Sequence, residues 1–225
     1  MNSKNQKTAP KTRIFIVDDH PMMREGLAQL ISSQADMEVC GQAGNADAAL
    51  ENIKLLGPDL VLVDITLPGR SGLELIKDIH ALNPAILILV LSMHEESLYA
   101  ERVLRAGGRG YLMKHESPRK ITEAIRRVVA GQIFVSENMS AKILEIFSGH
   151  HSQSAHSSVE TLSEREFQVF QAIGRGMETK ELAQHLHISP KTIEVHRANI
   201  KAKLRIKSIG ELIRFAVRWV DAEKP

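Results

Sequence analysis

The pattern of apolar and polar positions divides the chain into two parts with different periods. Over residues 13–130, short continuous apolar runs alternate with longer segments in which apolar residues recur every three or four positions. The runs predict strands that are buried on both faces, and the segments between them predict helices. This alternation indicates an α/β fold with a five-stranded, doubly wound parallel sheet. The predicted strands are residues 13–17, 37–40, 59–63, 86–91 and 110–113.

The C-terminal part shows helical periodicity only, which indicates a small all-α unit. Ser163 and Glu166 form a capping-box pattern where its first helix begins. Ser189 followed by Pro190 is an N-cap with a proline in the first turn, typical of the start of a helix. The four predicted helices are residues 164–173, 180–187, 190–204 and 208–220, with Thr179 as the expected cap of the second.

A stretch of different composition lies between these parts. Residues 136–147 have the apolar spacing of one more amphipathic helix, whereas the Ser/His-rich residues 148–161 have no such rhythm. We interpret the second stretch as a flexible interdomain linker, whose histidines are solvated rather than bound to a metal. The predicted boundaries are residues 13–132 for the α/β domain, 133–160 for the linker and 161–225 for the helical domain.

Composition and charge narrow the class of protein. With 43% apolar and 25% charged residues, the chain resembles an ordinary globular protein, without a stretch long enough for a membrane span or an apolar signal-peptide core. Cys40 is the only cysteine, which excludes an intrachain disulfide and favours a cytoplasmic setting; we expect it to be buried near the end of a strand. From Lys191 to Arg218 there are eight basic and two acidic residues. This cluster suggests a polyanionic partner, with a solvated basic helix face as the alternative.

Side chains with a potential chemical role follow four of the predicted strands. Asp18 and Asp19, then Asp64, Ser92 and Lys114, stand at these strand ends. Because the carboxyl ends of parallel strands meet at one edge of a doubly wound sheet, these side chains can converge on one crevice. Clustered carboxylates repel each other unless a hard cation neutralises them, which predicts Mg²⁺ (or Mn²⁺). With a hydroxyl and an ammonium opposite the metal, the set suits phosphoryl transfer to Asp64 as the nucleophile.

Asp64 also has two alternative interpretations. An aspartate after a strand is often only a turn former or a helix cap. An aspartate nucleophile with Mg²⁺ also occurs in haloacid dehalogenase-like phosphatases, but those enzymes need an Asp-x-Asp-x-Thr/Val pattern. Here Ile65, Thr66 and Leu67 follow the aspartate, which disfavours the phosphatase.

The ordered set of strand-end residues resembles the receiver domain of two-component response regulators, over residues 13–131. The resemblance implies a phosphoacceptor, a set of metal ligands and a set of switch residues. The phosphoacceptor it implies is Asp64. The metal ligands it implies are Asp18, Asp19, Asp64 and the backbone carbonyl of Thr66. The switch residues it implies are Ser92, Tyr111 and Lys114. A receiver catalyses only its own phosphotransfer and dephosphorylation, so the resemblance does not imply an enzyme in the usual sense.

The helical part resembles the LuxR-type helix-turn-helix, through the segments at residues 162–166, 179–183, 189–197 and 203–204. The resemblance implies a four-helix domain whose third helix enters the major groove of DNA and whose last helix forms a dimer contact. Glu194 and Ala198 stand where some relatives have DNA-contacting lysines, so base readout is not carried over at these two positions. The residues expected to contact DNA are Lys180, Ser189, Lys191, Thr192, Val195, His196, Asn199 and Lys203.

Together the two resemblances identify the chain as a member of the NarL/FixJ-family response regulators. The function this implies is transcription regulation, switched by Mg²⁺-dependent phosphorylation of Asp64. A regulator that binds DNA without phosphorylation control and only retains a receiver fold is the alternative. The expected partners are a sensor histidine kinase and double-stranded promoter DNA, with RNA polymerase as a possible third. A homodimer is expected when the protein is phosphorylated or DNA-bound, and no membrane partner is expected.

Overall fold

The computed structural model describes residues 10–147, 159 and 161–222, in which an α/β unit is followed by a helical unit. The strands are β1 (Thr12–Val17), β2 (Met37–Ala43), β3 (Leu60–Val63), β4 (Leu87–Ser92) and β5 (Gly110–Met113). All pair in parallel, in the order β2-β1-β3-β4-β5. This confirms the predicted doubly wound sheet.

Helices cover both faces of the sheet, which is why its strands are continuous apolar runs. They are α1 (Pro21–Ser32), α2 (Ala46–Leu56), α3 (Gly72–Leu82), α4 (Glu96–Arg105) and α5 (Pro118–Val129). α1 and α5 pack on one face, against strand residues such as Ile14 and Leu62. α2, α3 and α4 pack on the other face, against their neighbours Phe15 and Val63. Successive strand residues point to opposite faces, so each strand contributes to both cores.

Local signals determine where several helices begin and end. Asn45 and Ser71 cap α2 and α3, since their side chains accept hydrogen bonds from the backbone N–H groups of Ala48 and Glu74. Gly57 ends α2 in the left-handed conformation (φ 55°), which favours glycine. These caps define the helix boundaries next to the short connections to the sheet.

The second strand differs from its prediction. It continues to Ala43, because β1 pairs along it beyond a register shift between Ile14 and Phe15. Cys40 therefore lies in the middle of β2 and is only partly buried, with its Sγ 3.4 Å from the carbonyl oxygen of Ile14. The expectation of a buried cysteine near a strand end is wrong.

The chain after α5 is attached to the edge of the sheet. The N–H of Phe134 donates to the carbonyl of Arg109 (2.9 Å), and the carbonyl of Phe134 accepts from the N–H of Tyr111 (2.8 Å). The predicted amphipathic helix follows as α6 (Glu137–Phe147). The first part of the predicted linker thus packs on the α/β unit, whereas residues 148–158 lie outside the described residues.

Over residues 161–222 the helical unit contains four helices: α7 (Glu164–Gly174), α8 (Thr179–His185), α9 (Pro190–Lys203) and α10 (Ile209–Ala222). The capping box of Ser163 and Glu166 is present in both directions. The prediction that Thr179 caps α8 is wrong, because it is the first residue of that helix and Glu178 precedes it. The Thr179 hydroxyl instead accepts a hydrogen bond from Arg197 of α9 (2.7 Å). Over the described ranges, no helix is long and apolar enough to cross a membrane.

Candidate functional site

The carboxyl ends of β1 and β3 bring Asp18, Asp19 and Asp64 together, as their positions in the sequence predict. Carboxylate oxygens of these residues and a ring nitrogen of His20 all lie within 4.8 Å of one another. Lys114, after β5, places its Nζ 2.6 Å from Oδ2 of Asp18 and 2.8 Å from Oδ2 of Asp64. The ammonium thus bridges two buried carboxylates.

Burial dominates the electrostatics of this cluster. It raises the pKa of Asp64 to about 6, although the nearby Lys114 ammonium opposes the shift. Burial alone would lower the pKa of Lys114, but Asp64 and Asp18 hold this pKa above its ordinary value. Asp18 and Asp64 share the Lys114 ammonium and Asp19 lies beside them, so the cluster remains short of positive charge, and its hard oxygen donors suit Mg²⁺. The residues present therefore fit the expected metal.

The loop that follows Asp64 is tightly bound to it. The N–H of Thr66 donates to Oδ1 of Asp64 (3.2 Å), and the N–H of Gly72 donates to the carbonyl of Ile65 (2.8 Å). Only glycine fits at position 72, because a Cβ there would lie 2.0 Å from the carbonyl oxygen of Asp64. Coordination of a metal by the Thr66 carbonyl stays a prediction.

Two of the three expected switch residues, Ser92 and Tyr111, share one partner that the sequence did not reveal. The backbone N–H of His94 donates to Oγ of Ser92 (3.1 Å), and the buried Tyr111 hydroxyl donates to the carbonyl of His94 (2.6 Å). The His94 ring shares a hydrogen bond with the Thr66 hydroxyl (3.0 Å) and stacks on Tyr99, with ring centroids 4.8 Å apart. One backbone unit thus holds both switch side chains.

The His94 imidazole is buried in a positively charged environment. Burial, together with the charges of Arg175, His185 and Lys114, lowers the pKa of His94 to about 4. The ring is therefore neutral at physiological pH. Nothing in a single sequence marks this histidine, since a residue two positions past a strand end is usually a loop residue.

The residues expected to contact DNA fall into two groups in the structure. Ile193 and Ile200 of α9 are buried, and the opposite face carries Lys191, Val195 and Asn199 at four-residue spacing, all exposed. Lys180 on α8 is also exposed.

The second group has roles inside the helical unit. Oγ of Ser189 caps α9 by accepting from the N–H of Thr192 (3.1 Å), and the two hydroxyls lie 2.8 Å apart. His196 is partly buried, and this burial lowers its pKa. Nζ of Lys203 lies 2.6 Å from the buried carboxylate of Glu166. Lys203 is therefore held by an ion pair within the helical unit.

Helix α7, the first of the helical unit, packs against the α/β unit and is buried from Glu164 to Ile173. The guanidinium of Arg165 donates to the carbonyls of Leu67 (2.9 Å) and Gly69 (2.6 Å), in the loop after Asp64. Its Nη1 donates to Oε1 of Gln168 (2.7 Å). We call this contact of the two units the docked arrangement.

Charged and aromatic residues complete the docked arrangement. The buried carboxylate of Glu164 lies 3.3 Å from both Lys77 on α3 and Arg102 on α4. The Arg102 guanidinium also stacks on the ring of Phe167, 3.8 Å from its centroid. The Phe167 ring lies edge-on to Tyr99 of α4, with centroids 5.3 Å apart.

The end of α8 approaches the acidic cluster. Nε2 of His187, a residue with positive φ (53°), lies 3.6 Å from Oδ2 of Asp19. The His185 ring stands edge-on to His94, with centroids 6.5 Å apart. The helical unit therefore contacts the same edge of the sheet that carries the candidate chemistry.

Comparisons with known proteins match two families to the chain. The response regulator receiver domain matches residues 14–126, and the luxR family of bacterial regulatory proteins matches residues 160–216. The oxygen regulatory protein NreC of Staphylococcus carnosus is 32% identical over 210 residues, which cover 92% of this chain and 97% of that protein.

Solved structures show the same architecture. A two-component response regulator of the LuxR family from Aurantimonas sp. SI85-9A1 is 34% identical, with a TM-score of 0.57, over 61% of this chain and 99% of that one. RcsB from Salmonella enterica serovar Typhimurium, bound to promoter rprA in the presence of phosphomimetic BeF3⁻, shares the fold at 23% identity. Its TM-score is 0.60, over 92% of this chain and 98% of that one. The chain therefore belongs to the two-component response regulators that join a receiver domain to a LuxR-type DNA-binding domain.

Proposed function

We propose that this protein is a transcription regulator whose DNA binding is switched by phosphorylation of Asp64. The observation that carries the proposal is the carboxylate cluster of Asp18, Asp19 and Asp64, in which the Lys114 ammonium bridges the buried Asp18 and Asp64. The three carboxylates and the carbonyl of Thr66 would hold Mg²⁺, which would supply charge neutralisation for an incoming phosphoryl group. Lys114 is already in reach of Asp64 and pairs with the added phosphoryl oxygens.

Phosphorylation acts on the two switch residues through the contacts of His94. The Ser92 hydroxyl exchanges the His94 N–H for a phosphoryl oxygen, which disturbs the same backbone unit that accepts from Tyr111. The His94 ring stacks on Tyr99, and Tyr99 contacts Phe167 of the DNA-binding domain. A change at Asp64 is thereby passed to the docked arrangement.

The recognition surface of α9 is exposed even while the domains are docked. Lys191, Val195 and Asn199 are all exposed, Val195 at 53%. Docking therefore acts by fixing the orientation of the DNA-binding domain rather than by covering this face. Release allows two copies to form a symmetric dimer, with α10 as the contact through its exposed Ile209 and Ile213. RcsB, solved on promoter DNA with BeF3⁻, is the precedent among the similar proteins.

The partners follow from this chemistry. A sensor histidine kinase is the phosphodonor, and promoter DNA is the output target, which places the regulator in the cytoplasm. RNA polymerase is a further partner of a promoter-bound regulator.

The first test measures DNA binding with and without Mg²⁺ and beryllofluoride. A duplex selected from a random library by the beryllofluoride-treated protein serves as the probe. We expect tighter binding and dimerisation of the wild type with beryllofluoride, and no response from the Asp64→Asn variant. Equal binding by the wild type under both conditions would favour the alternative, a regulator without phosphorylation control.

The second test addresses the DNA-binding surface. Lys191→Ala should weaken binding and reduce the slope of log affinity against log salt by about one, because one phosphate contact is lost. The matched control is Lys54→Ala, an exposed lysine on α2 of the receiver domain. An unchanged slope for Lys191→Ala would show that this residue makes no phosphate contact.

A further inference from the structure

The segment that joins Asp64 to α3, residues 65–71, is the β3–α3 loop. The DNA-binding domain binds this loop through hydrogen bonds from Arg165. Arg165 binds the carbonyl of Leu67, three positions after the phosphoacceptor, and binds Gly69 through both Nη2 (2.6 Å) and Nε (3.2 Å). The same loop contains Thr66, whose carbonyl belongs to the expected metal ligands.

The β3–α3 loop transmits displacement because it is held at both ends. Thr66 bonds to the Asp64 carboxylate, and Gly72 bonds to the carbonyl of Ile65. Gly72 lies so close to the backbone of Asp64 that an added Cβ would collide with its carbonyl oxygen. A shift of the Thr66 peptide on metal or phosphoryl binding therefore moves the carbonyls of Leu67 and Gly69 as well.

Arg165 is sensitive to such a shift because it is a buried cation whose hydrogen-bond acceptors among the described residues are uncharged, although Glu74 attracts it electrostatically. It is 7% exposed, and its hydrogen bonds go to the carbonyls of Leu67 and Gly69 and to the amide oxygen of Gln168. A buried guanidinium that loses an acceptor keeps its desolvation cost without compensation. The hydrogen bonds of Arg165 to the β3–α3 loop are therefore favourable in the position that the loop has here and unfavourable if the loop is displaced.

We propose that Arg165 of the DNA-binding domain is a positioning residue of the phosphoacceptor site. It holds the β3–α3 loop in the docked arrangement, so that docking weakens the binding of Mg²⁺ and a phosphoryl group at Asp64. The inference rests on the proposed function, and it adds a path that does not pass through Ser92 and Tyr111. Coupling between two sites is reciprocal: if a phosphoryl group at Asp64 releases the domain, docking opposes that group by the same factor.

The test is a beryllofluoride titration of the full chain with Mg²⁺ present, in which bound beryllofluoride is followed by ¹⁹F NMR. Arg165→Ala should lower the half-saturating concentration by about fivefold or more, the lower end of ordinary coupling between sites. Arg165→Lys keeps the charge but not the planar fork, and should give an intermediate value. Lys54→Ala, at an exposed lysine of α2, is the control and should titrate like the wild type.

A second variant perturbs the same contact from the receiver side. Gly69 has φ 77° with open space around its Cβ position, so Gly69→Ala adds backbone strain without a collision. It should lower the half-saturating concentration in the wild type but have little further effect in Arg165→Ala, because both changes break one contact. Small-angle scattering should show both variants more extended than the wild type without beryllofluoride.

The outcomes separate the two proposals. If the wild type and Arg165→Ala have equal half-saturating concentrations, or if the variant binds more weakly, the role of Arg165 is wrong while phosphorylation control stands. If the wild type binds no beryllofluoride at all, the proposed function itself is wrong.

Discussion

His94 should make the stability of the metal-free protein depend on pH in a defined window. Burial lowers its pKa in the folded protein to about 4, whereas a histidine in an unfolded chain has a pKa of about 6.5. Because the folded pKa is depressed, this contribution to stability is fully present above pH 6.5 and is lost as the pH falls towards 4. Each pH unit within the window costs about 1.4 kcal/mol, so about 2 kcal/mol is lost between pH 7.5 and pH 5.

The assay compares the wild type with His94→Gln in urea unfolding at several pH values. Glutamine does not titrate, and its amide can keep the hydrogen bond to the Thr66 hydroxyl that the ring makes at 3.0 Å. Other titrating groups, including Asp64 with its raised pKa, are present in both proteins. Their contributions therefore cancel in the difference between the two unfolding free energies. That difference should shift by about 2 kcal/mol in favour of His94→Gln between pH 7.5 and pH 5. A difference that stays constant over this range would refute a buried, neutral His94.

Three further substitutions test the packing described above by thermal unfolding. Ser163→Ala removes the N-cap of α7 and should destabilise the DNA-binding domain by about 1 kcal/mol. Lys203→Ala removes the partner of Glu166 and should cost only about 0.5 kcal/mol, because the lysine is 40% exposed and solvent screens the pair. Gly72→Ala should destabilise the receiver domain by about 2 kcal/mol or more, since the added Cβ meets the backbone of Asp64 at 2.0 Å.

The features that could be predicted from the sequence are those that depend on the local spacing of apolar residues and on the order of the strands. Buried strands are apolar runs, so the doubly wound sheet could be predicted without a structure, and Asp18, Asp64 and Lys114 could be placed at one edge because each follows a strand. The predictions from the sequence were wrong where a residue distant in the chain determines the local structure. β2 is extended by pairing with β1, and Thr179 is drawn from its capping role to Arg197.

The docking contacts could not be predicted for the same reason. Arg165 and its acceptor Gly69 are 96 positions apart, and in the sequence Arg165 is an ordinary charged residue in the first turn of a helix. His94 follows a strand like many loop residues, and only its packing with Tyr99 and Thr66 distinguishes it. Charged side chains at an interface between domains carry no periodic signal, because their burial depends on a surface formed by another part of the chain.

The composition of the docked arrangement suits the proposed switch. Its buried charges, Glu164 beside Lys77 and Arg102 and the guanidinium of Arg165, lose in desolvation much of what they gain by pairing, so they specify the orientation more than they stabilise it. Each aromatic or cation–π contact around Phe167 adds only about 0.5–1.5 kcal/mol. A phosphoryl group forms one to three charge-assisted hydrogen bonds of about 1.5–3 kcal/mol each. The two quantities are comparable, which supports the proposal that a single phosphorylation reverses docking; a large apolar interface would not allow this.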